Sequence, residues 1–224
     1  MTSRHPLITH PDATVVLPPR LFAPIGWYAA LAACGHAVVD TSRRYDRREK
    51  AVHRYDIVDV RGPLSLTVPV ASPARCTGVP TWDDVSISRH GRWWHVHRVT
   101  LESAYGRTPY FEFVIDRFSS LFEDPGEQPP SALEYARRAD EAVRSFLGLE
   151  TTVEWRAATH DDVAGHDLRH RLPDTSAMPH YFQVRSSSLG FVPSLSILDA
   201  VFNLGPETPL YLKQLISTPG IVNF

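Results

Sequence analysis

Asp199 and Asn203 stand four residues apart in a segment whose apolar residues, Leu195, Leu198, Val201 and Phe202, fall to the opposite side. A helix there presents a carboxylate and an amide on one face, with Ser196 a turn earlier. Such a pair can orient a substrate or a histidine within a polar cleft; equally, it can be the solvated side of a plain helix. Gly205 and Pro206 follow and are explained by helix termination, since glycine takes positive φ and proline blocks continuation. Glu207 is not explained this way and stays a candidate acid. His97 aligns with Leu101 and Ala104 at helical spacing. It is either a hydrogen-bonded core residue or, because imidazole titrates near neutrality, a general base. Glu102, four residues from Arg98, fits an ion pair better than an acid catalyst.

Other chemistries have weaker footing. His95 and His97 share a face only if the segment is extended, and no second His, Cys or carboxylate cluster has ligand spacing, so no metal is expected. No Gly-x-Ser-x-Gly elbow and no phosphate-binding glycine loop occurs. Cys34 reads as packing in an apolar helix, and Cys76 sits beside Arg75 without a catalytic context. Ser186-Ser187-Ser188 reads as a flexible turn. Arg43, Arg44, Arg47, Arg48, Lys50 and Arg54 form a basic stretch able to receive phosphate or carboxylate, with Asp46 and Glu49 offsetting part of the charge.

The elements that must position these residues follow from pattern and punctuation. Ala13 to Leu17 is a β-branched apolar run, broken by Pro18-Pro19; Trp27 to Ala33 suits a buried helix that Gly35 can end, and Ala37-Val38-Val39 returns as a strand. This is a βαβ-like start. Tyr55 to Val60 and Leu64 to Val70 read as two strands around Arg61-Gly62-Pro63, and Val85 to Ile87 as a further short strand. A helix is expected within Trp93 to Gly106. Ser131-Ala132-Leu133-Glu134 is a capping box, and the helix it opens buries Leu133, Ala136, Ala139, Val143 and Phe146 before Gly148 stops it. Thr151 to Arg156 reads as a strand, Asp161 to Met178 as a surface loop, and Ser194 to Leu204 as a last helix. The expected fold class is α/β, with mixed α+β as the alternative: a loose arm over residues 1–12, then a single compact domain over 13–224 with a small mixed sheet flanked by helices.

Composition bounds the function. With 224 residues the chain can bury a sizeable core. Its formal net charge is −2, and it has neither a wide basic face nor aromatic interleaving, which argues against nucleic acid as a partner. No apolar run is long enough to span a bilayer and no secretory core follows the first residues, so a reduced cytoplasmic setting is expected.

Several stretches together resemble the WbqC-like protein family. They are Pro24-Ile25-Gly26-Trp27-Tyr28; His53-Arg54 ahead of Leu66 to Val70; His97 followed by Leu101 to Gly106 and Pro109 to Glu112; Asp167-Leu168-Arg169; and the tail of Tyr181 to Val184, Gly190-Phe191, Leu195 to Asp199 and Phe202 to Glu207. The resemblance covers about residues 14–212. Two departures stand out: the family's Gln-Pro after the first strand is Leu17-Pro18 here, and its following aromatic is replaced by Pro19-Arg20 ahead of Phe22.

The resemblance implies a biosynthetic protein of specialised metabolites or surface polysaccharides. It places Tyr28, His53, Arg54, Tyr105, Arg169 and Asn203 as substrate-binding candidates beside His97, Asp199 and Glu207. The reaction expected is acyl or aminoacyl transfer from an activated thioester, which can be carrier-protein-bound, to an amine. Placement and charge stabilisation suffice for it, so no cofactor is expected. In that reading His97 is the base and Asp199 or Glu207 orients it, while Asn203, Arg54 and Arg169 hold the oxyanion or an anionic handle. The alternatives are a thioester hydrolase and a non-catalytic sugar- or carrier-binding protein.

Overall fold

The computed structural model describes residues 7–73 and 78–222. In chain order its elements are β1 (His10–Leu17), α1 (Ile25–Ala33), β2 (Cys34–Asp40), β3 (Arg54–Asp59), β4 (Gly62–Thr67), α2 (Trp93–Tyr105), α3 (Phe111–Ile115), α4 (Ala132–Leu147), β5 (Thr152–Arg156), α5 (His160–Val163), β6 (His166–Asp167), α6 (Ser186–Leu189), α7 (Ile197–Leu204) and α8 (Thr208–Ser217). The strands make two sheets. One is parallel, in the order β5-β2-β1-β6; the other is the antiparallel hairpin β3-β4. The fold is therefore mixed α/β with helices around both sheets.

The βαβ start is present, and its register places Val16 opposite Val38 and Leu17 opposite Val39. Every residue of α1 is buried, which explains a sequence apolar all round rather than on one stripe. α8 packs along it. Gly35 does not end α1. It lies inside β2, where a Cβ would come within 1.9 Å of the Pro11 carbonyl oxygen, so it permits β1 and β2 to close. Three residues of the expected arm, His10, Pro11 and Asp12, belong to β1; residues 1–6 lie outside the described residues, as does Cys76. The 161–178 stretch contributes β6, whose two residues pair with Val15 and Val16.

Other local expectations differ in detail. Ser131 caps α4 by accepting the Glu134 amide at 3.0 Å, but only half of the box forms. The Glu134 carboxylate turns instead to Arg137 and Arg138. Gly148 closes the helix in the left-handed conformation, as its position predicts. Arg98 pairs with Asp116 at 3.7 Å rather than with Glu102. Ser186 to Ser188 open a short helix instead of a turn. The Val85–Ile87 strand reduces to single bridges, Val70 with Ile87 and Ser86 with Ser131. The final helix starts three residues later than expected, at Ile197, because the Ser196 hydroxyl accepts the Leu198 amide as its N-cap.

Gly205 ends α7 at φ +53° and ψ −125°, outside the left-handed helical region, and a Cβ there would lie 2.5 Å from the Tyr110 ring. Gly190 also has positive φ, +73°, but with nothing within 4 Å of a Cβ. Gly205→Ala is expected to cost about 1–3 kcal/mol in urea unfolding. Gly190→Ala is expected to cost less, because it bears the backbone penalty alone; equal costs would show that the Tyr110 contact contributes nothing.

Candidate functional site

Asp199 is fully buried on α7, and its carboxylate is held by donors from two other segments. The Tyr105 hydroxyl on α2 donates to Oδ1 at 2.9 Å and itself accepts the Val58 amide at 3.2 Å. The Tyr181 hydroxyl donates to Oδ2, and so does Gln183 Nε2 at 2.9 Å. Gln183 also brackets Val192, giving Nε2 to its carbonyl and accepting its amide, each at 2.9 Å. Asn203 closes the set. Its Nδ2 donates to the Asp199 carbonyl at 2.8 Å, and its Oδ1 accepts the Val184 amide at 2.9 Å. Burial pushes the Asp199 carboxyl above its ordinary pKa, and the three donors oppose that shift. Asp199, Asn203 and Tyr105 thus come together as expected, but their polar atoms are committed to one another and to backbone. Of the side chains in the network Tyr181 is half-buried, whereas Tyr105, Gln183, Asp199 and Asn203 are buried.

His97 lies in a separate pocket of aromatic rings. Its Nδ1 is 3.2 Å from the Tyr55 hydroxyl, and its ring stands edge-on to Tyr55 and Trp93. Burial drops its pKa from 6.5 to about 4, with a backbone contact at Thr67 pulling the other way. The ring is therefore neutral at pH 7. His95, two positions away on the helix, points roughly 200° round and is exposed, so the two do not form a metal pair. Glu207 is exposed in the turn after α7 and orients nothing at His97. His53 is buried, giving its Nδ1 hydrogen to the Val68 carbonyl at 2.7 Å. Tyr28 is sealed on the far side of α1, where its hydroxyl faces the buried Asp140 without closing an aligned hydrogen bond. Arg144 and Trp155 occupy the other oxygen of Asp140.

The accessible polar groups gather instead at the C-terminal ends of the parallel strands. Arg169, just past β6, gives NH1 to Asp40 at 2.8 Å and also grips Asp167 through Nε and NH2. Asp40 ends β2. Burial alone would raise its carboxyl, but donation from Arg169, Ser42 and Ala158 outweighs this and holds it below the usual range. Arg20 follows β1 and is set on a rigid loop. Trp27 Nε1 donates to the Pro18 carbonyl at 3.0 Å, the Leu21 amide donates to Ala51, and Phe22, strained at φ +41°, packs on Tyr55, Phe118 and Phe122. Arg20 Nε is buried without a hydrogen-bond partner. Burial lowers the pKa of its guanidinium and nearby Arg43 adds to this, while Glu49 and Asp56 act against it. Arg54 lies on the same hairpin strand as Asp56 and spends its Nε on Thr67.

The N-terminus of α1, the usual backbone anion site after such a strand, is covered. The Ile25 amide donates to Leu195, and a Cβ on Gly26 would lie 2.8 Å from Thr175. An anion at this edge must therefore be met by side chains. Arg20 is the cation at this edge whose Nε has no hydrogen-bond partner. In the sequence it is visible only as part of Pro19-Arg20, which stands where the family has an aromatic after Pro18. Tyr55, Asp40 and Asp140 gave no motif signal, and Tyr181 and Gln183 were legible only as parts of the tail resemblance.

The sealed histidine has a measurable consequence. Its folded pKa of about 4 lies below its ordinary 6.5, so the unfolded chain takes the proton first. Stability from this ring is whole above about pH 6.5 and is lost as pH falls toward 4. Asp199 acts in the opposite sense: its pKa is raised by folding, so its contribution fades as pH rises past the ordinary carboxylate range. His97→Gln is expected to flatten the fall in Tm on acidification through that window. An unchanged acid limb would mean that the imidazole reaches water.

The sequence model of the WbqC-like protein family matches residues 19–177, inside the longer stretch that carries the resemblance. The matched span runs from the Arg20 loop through Arg169 to Thr175 and stops short of Tyr181, Gln183, Asp199 and Asn203. No curated protein and no solved structure matches the chain. The chain belongs to the WbqC-like protein family.

Proposed function

We propose that this protein works on small molecules in biosynthetic metabolism, receiving the phosphate handle of an activated acyl donor at the C-terminal edge of its parallel sheet. The observation that carries this reading is Arg20, a guanidinium on a rigid loop whose buried Nε has no hydrogen-bond partner. A buried donor left unpaired is costly, and an anion bound at this edge relieves the cost. Ligands of open α/β sheets also gather at the carboxyl ends of the strands. Pantetheine-type thioesters carry a phosphate, so an arginine fork fits the handle of that donor class.

The reaction is transfer of the acyl or aminoacyl group to an amine. The amine nitrogen attacks the thioester carbonyl, the C–N bond forms, the C–S bond breaks, and the departing sulfur takes up the proton the amine releases. Placement supplies much of the acceleration for such a step. His97 and Asp199 support it as positioning residues: His97 fixes the hairpin against α2, and Asp199 fixes the 181–192 segment.

The second reading is binding without turnover, and the sealing of both His97 and Asp199 favours it. A single experiment separates the two. The protein is incubated with a phosphopantetheine thioester and a panel of amines, with donor loss and amide formation followed by mass spectrometry and binding followed by calorimetry. Arg20→Ala is expected to weaken donor binding roughly 10- to 100-fold, the worth of a charged hydrogen bond, without lowering Tm. Binding without amide identifies the second reading, free acid without an amine identifies a hydrolase, and donor affinity unaffected by Arg20→Ala removes the site.

A further inference from the structure

Beside β6 the chain leaves a cleft of about 290 Å³ between the 168–174 segment and the 220–222 turn after α8. It lies one strand from Arg20, since Leu168 is fixed to β1 by its amide hydrogen bond to Val16 at 2.8 Å. Its lining is mixed: Leu168, Leu172, Ile221 and Val222 bring apolar side chains, while Arg171 and Asp174 bring opposite charges to the same space. Arg171 holds no ion pair among the described residues. Asp174 accepts the Ser176 amide at 2.9 Å and feels the Arg171 charge without closing a bridge to it. Both side chains are exposed, whereas Ile221 is buried and Leu168, Leu172 and Val222 are half-buried.

One positive and one negative group beside a few apolar side chains match a molecule that carries both charges on an apolar stem. We infer that the cleft takes a free amino acid with an apolar side chain, its carboxylate on Arg171, its ammonium on Asp174 and its side chain between Leu172 and Val222. The volume suits a molecule this small, lying just under the roughly 300–1,000 Å³ range of drug-sized ligand sites. The inference rests on the reading that the strand ends form the substrate edge, and it deepens that reading by naming the amine acceptor: an α-amino acid.

The test is calorimetric titration of the full chain with L-leucine, with L-leucinol, which lacks the carboxylate, and with 4-methylpentanoate, which lacks the amine. L-Leucine is expected to bind, and each analogue to bind roughly tenfold or more weakly. Arg171→Ala, at an exposed position, is expected to erase the preference of leucine over leucinol. Val222→Trp, which fills the cleft, is expected to abolish binding of all three. Arg20→Ala is expected to leave leucine affinity unchanged. Absence of leucine binding to the wild-type chain overturns the inference, as does binding that Arg171→Ala and Val222→Trp leave intact. Failure of the donor reading is distinguishable: leucine then binds, but no thioester is consumed in its presence. Failure of the cleft alone shows as amide formation with amines while leucine does not bind.

Discussion

A carboxylate removed from water must be given hydrogen-bond donors or stay protonated, and Asp199 imposes that condition on the C-terminal half of this molecule. Its donors come from α2 and from the irregular 181–192 segment, so satisfying one buried group fixes how those parts meet α7. Tyr105 extends the chain of bonds to the β3 backbone at Val58, and Asn203 repeats the device one turn later at Val184. A stretch with little regular structure is thereby pinned by side chains in place of a sheet ladder. Asp140 meets the same condition on α4, with Arg144 and Trp155 as donors and Tyr28 across from it. Removing one partner from either network leaves a polar atom stranded in the interior, which is why such groups cannot be exchanged singly.

Because these side chains are committed inside, groups free to meet a solute lie elsewhere. The parallel sheet ends in Leu17, Asp40, Arg156 and Asp167, and the loops beyond them carry Arg20, Arg43 and Arg169. Arg169 is neutralised by Asp40 and Asp167, so it braces β2 against β6. Arg20 is not neutralised in the same way. With the α1 N-terminus covered by Leu195 and Thr175, the backbone amides that serve many α/β folds are spent. The Arg20 Nε is the donor left unpaired beyond the end of β1.

Local signals told most of the fold. The buried α1, the βαβ start, the β3-β4 hairpin and the capped, glycine-stopped α4 each follow from a few neighbouring residues. What the sequence hid depends on distant partners. β6 is two residues long and exists because β1 offers a free edge at Val15 and Val16. Glu134 has the right spacing for a reciprocal cap, yet Arg137 and Arg138 compete for it more strongly than the amide at Ser131. His97 has the residue type of a base, and Trp93 one turn earlier on its helix packs on it, but nothing in that helix reveals that Tyr55 closes over it from β3. Spacing placed Asp199 and Asn203 on one face correctly; only the tertiary structure shows that the face looks inward.

Residues that identify a family and residues that set its chemistry need not coincide. In the tail, the tyrosine, glutamine, aspartate and asparagine that make the resemblance specific are those whose polar atoms are paired in the interior, and pairing of this kind restricts identity whatever the substrate. At the end of β1 the situation is reversed. There the chain departs from the family's pattern, with Leu17-Pro18 and then Pro19-Arg20, and the departure places a guanidinium whose Nε is unpaired beside the strand ends. A change at a buried, paired position would have cost folding. Leu17, Pro18 and Pro19 are buried too, but their side chains are apolar, so exchanging them strands no hydrogen-bonding partner. The loop after β1 is therefore where a change of residue breaks no side-chain hydrogen bond.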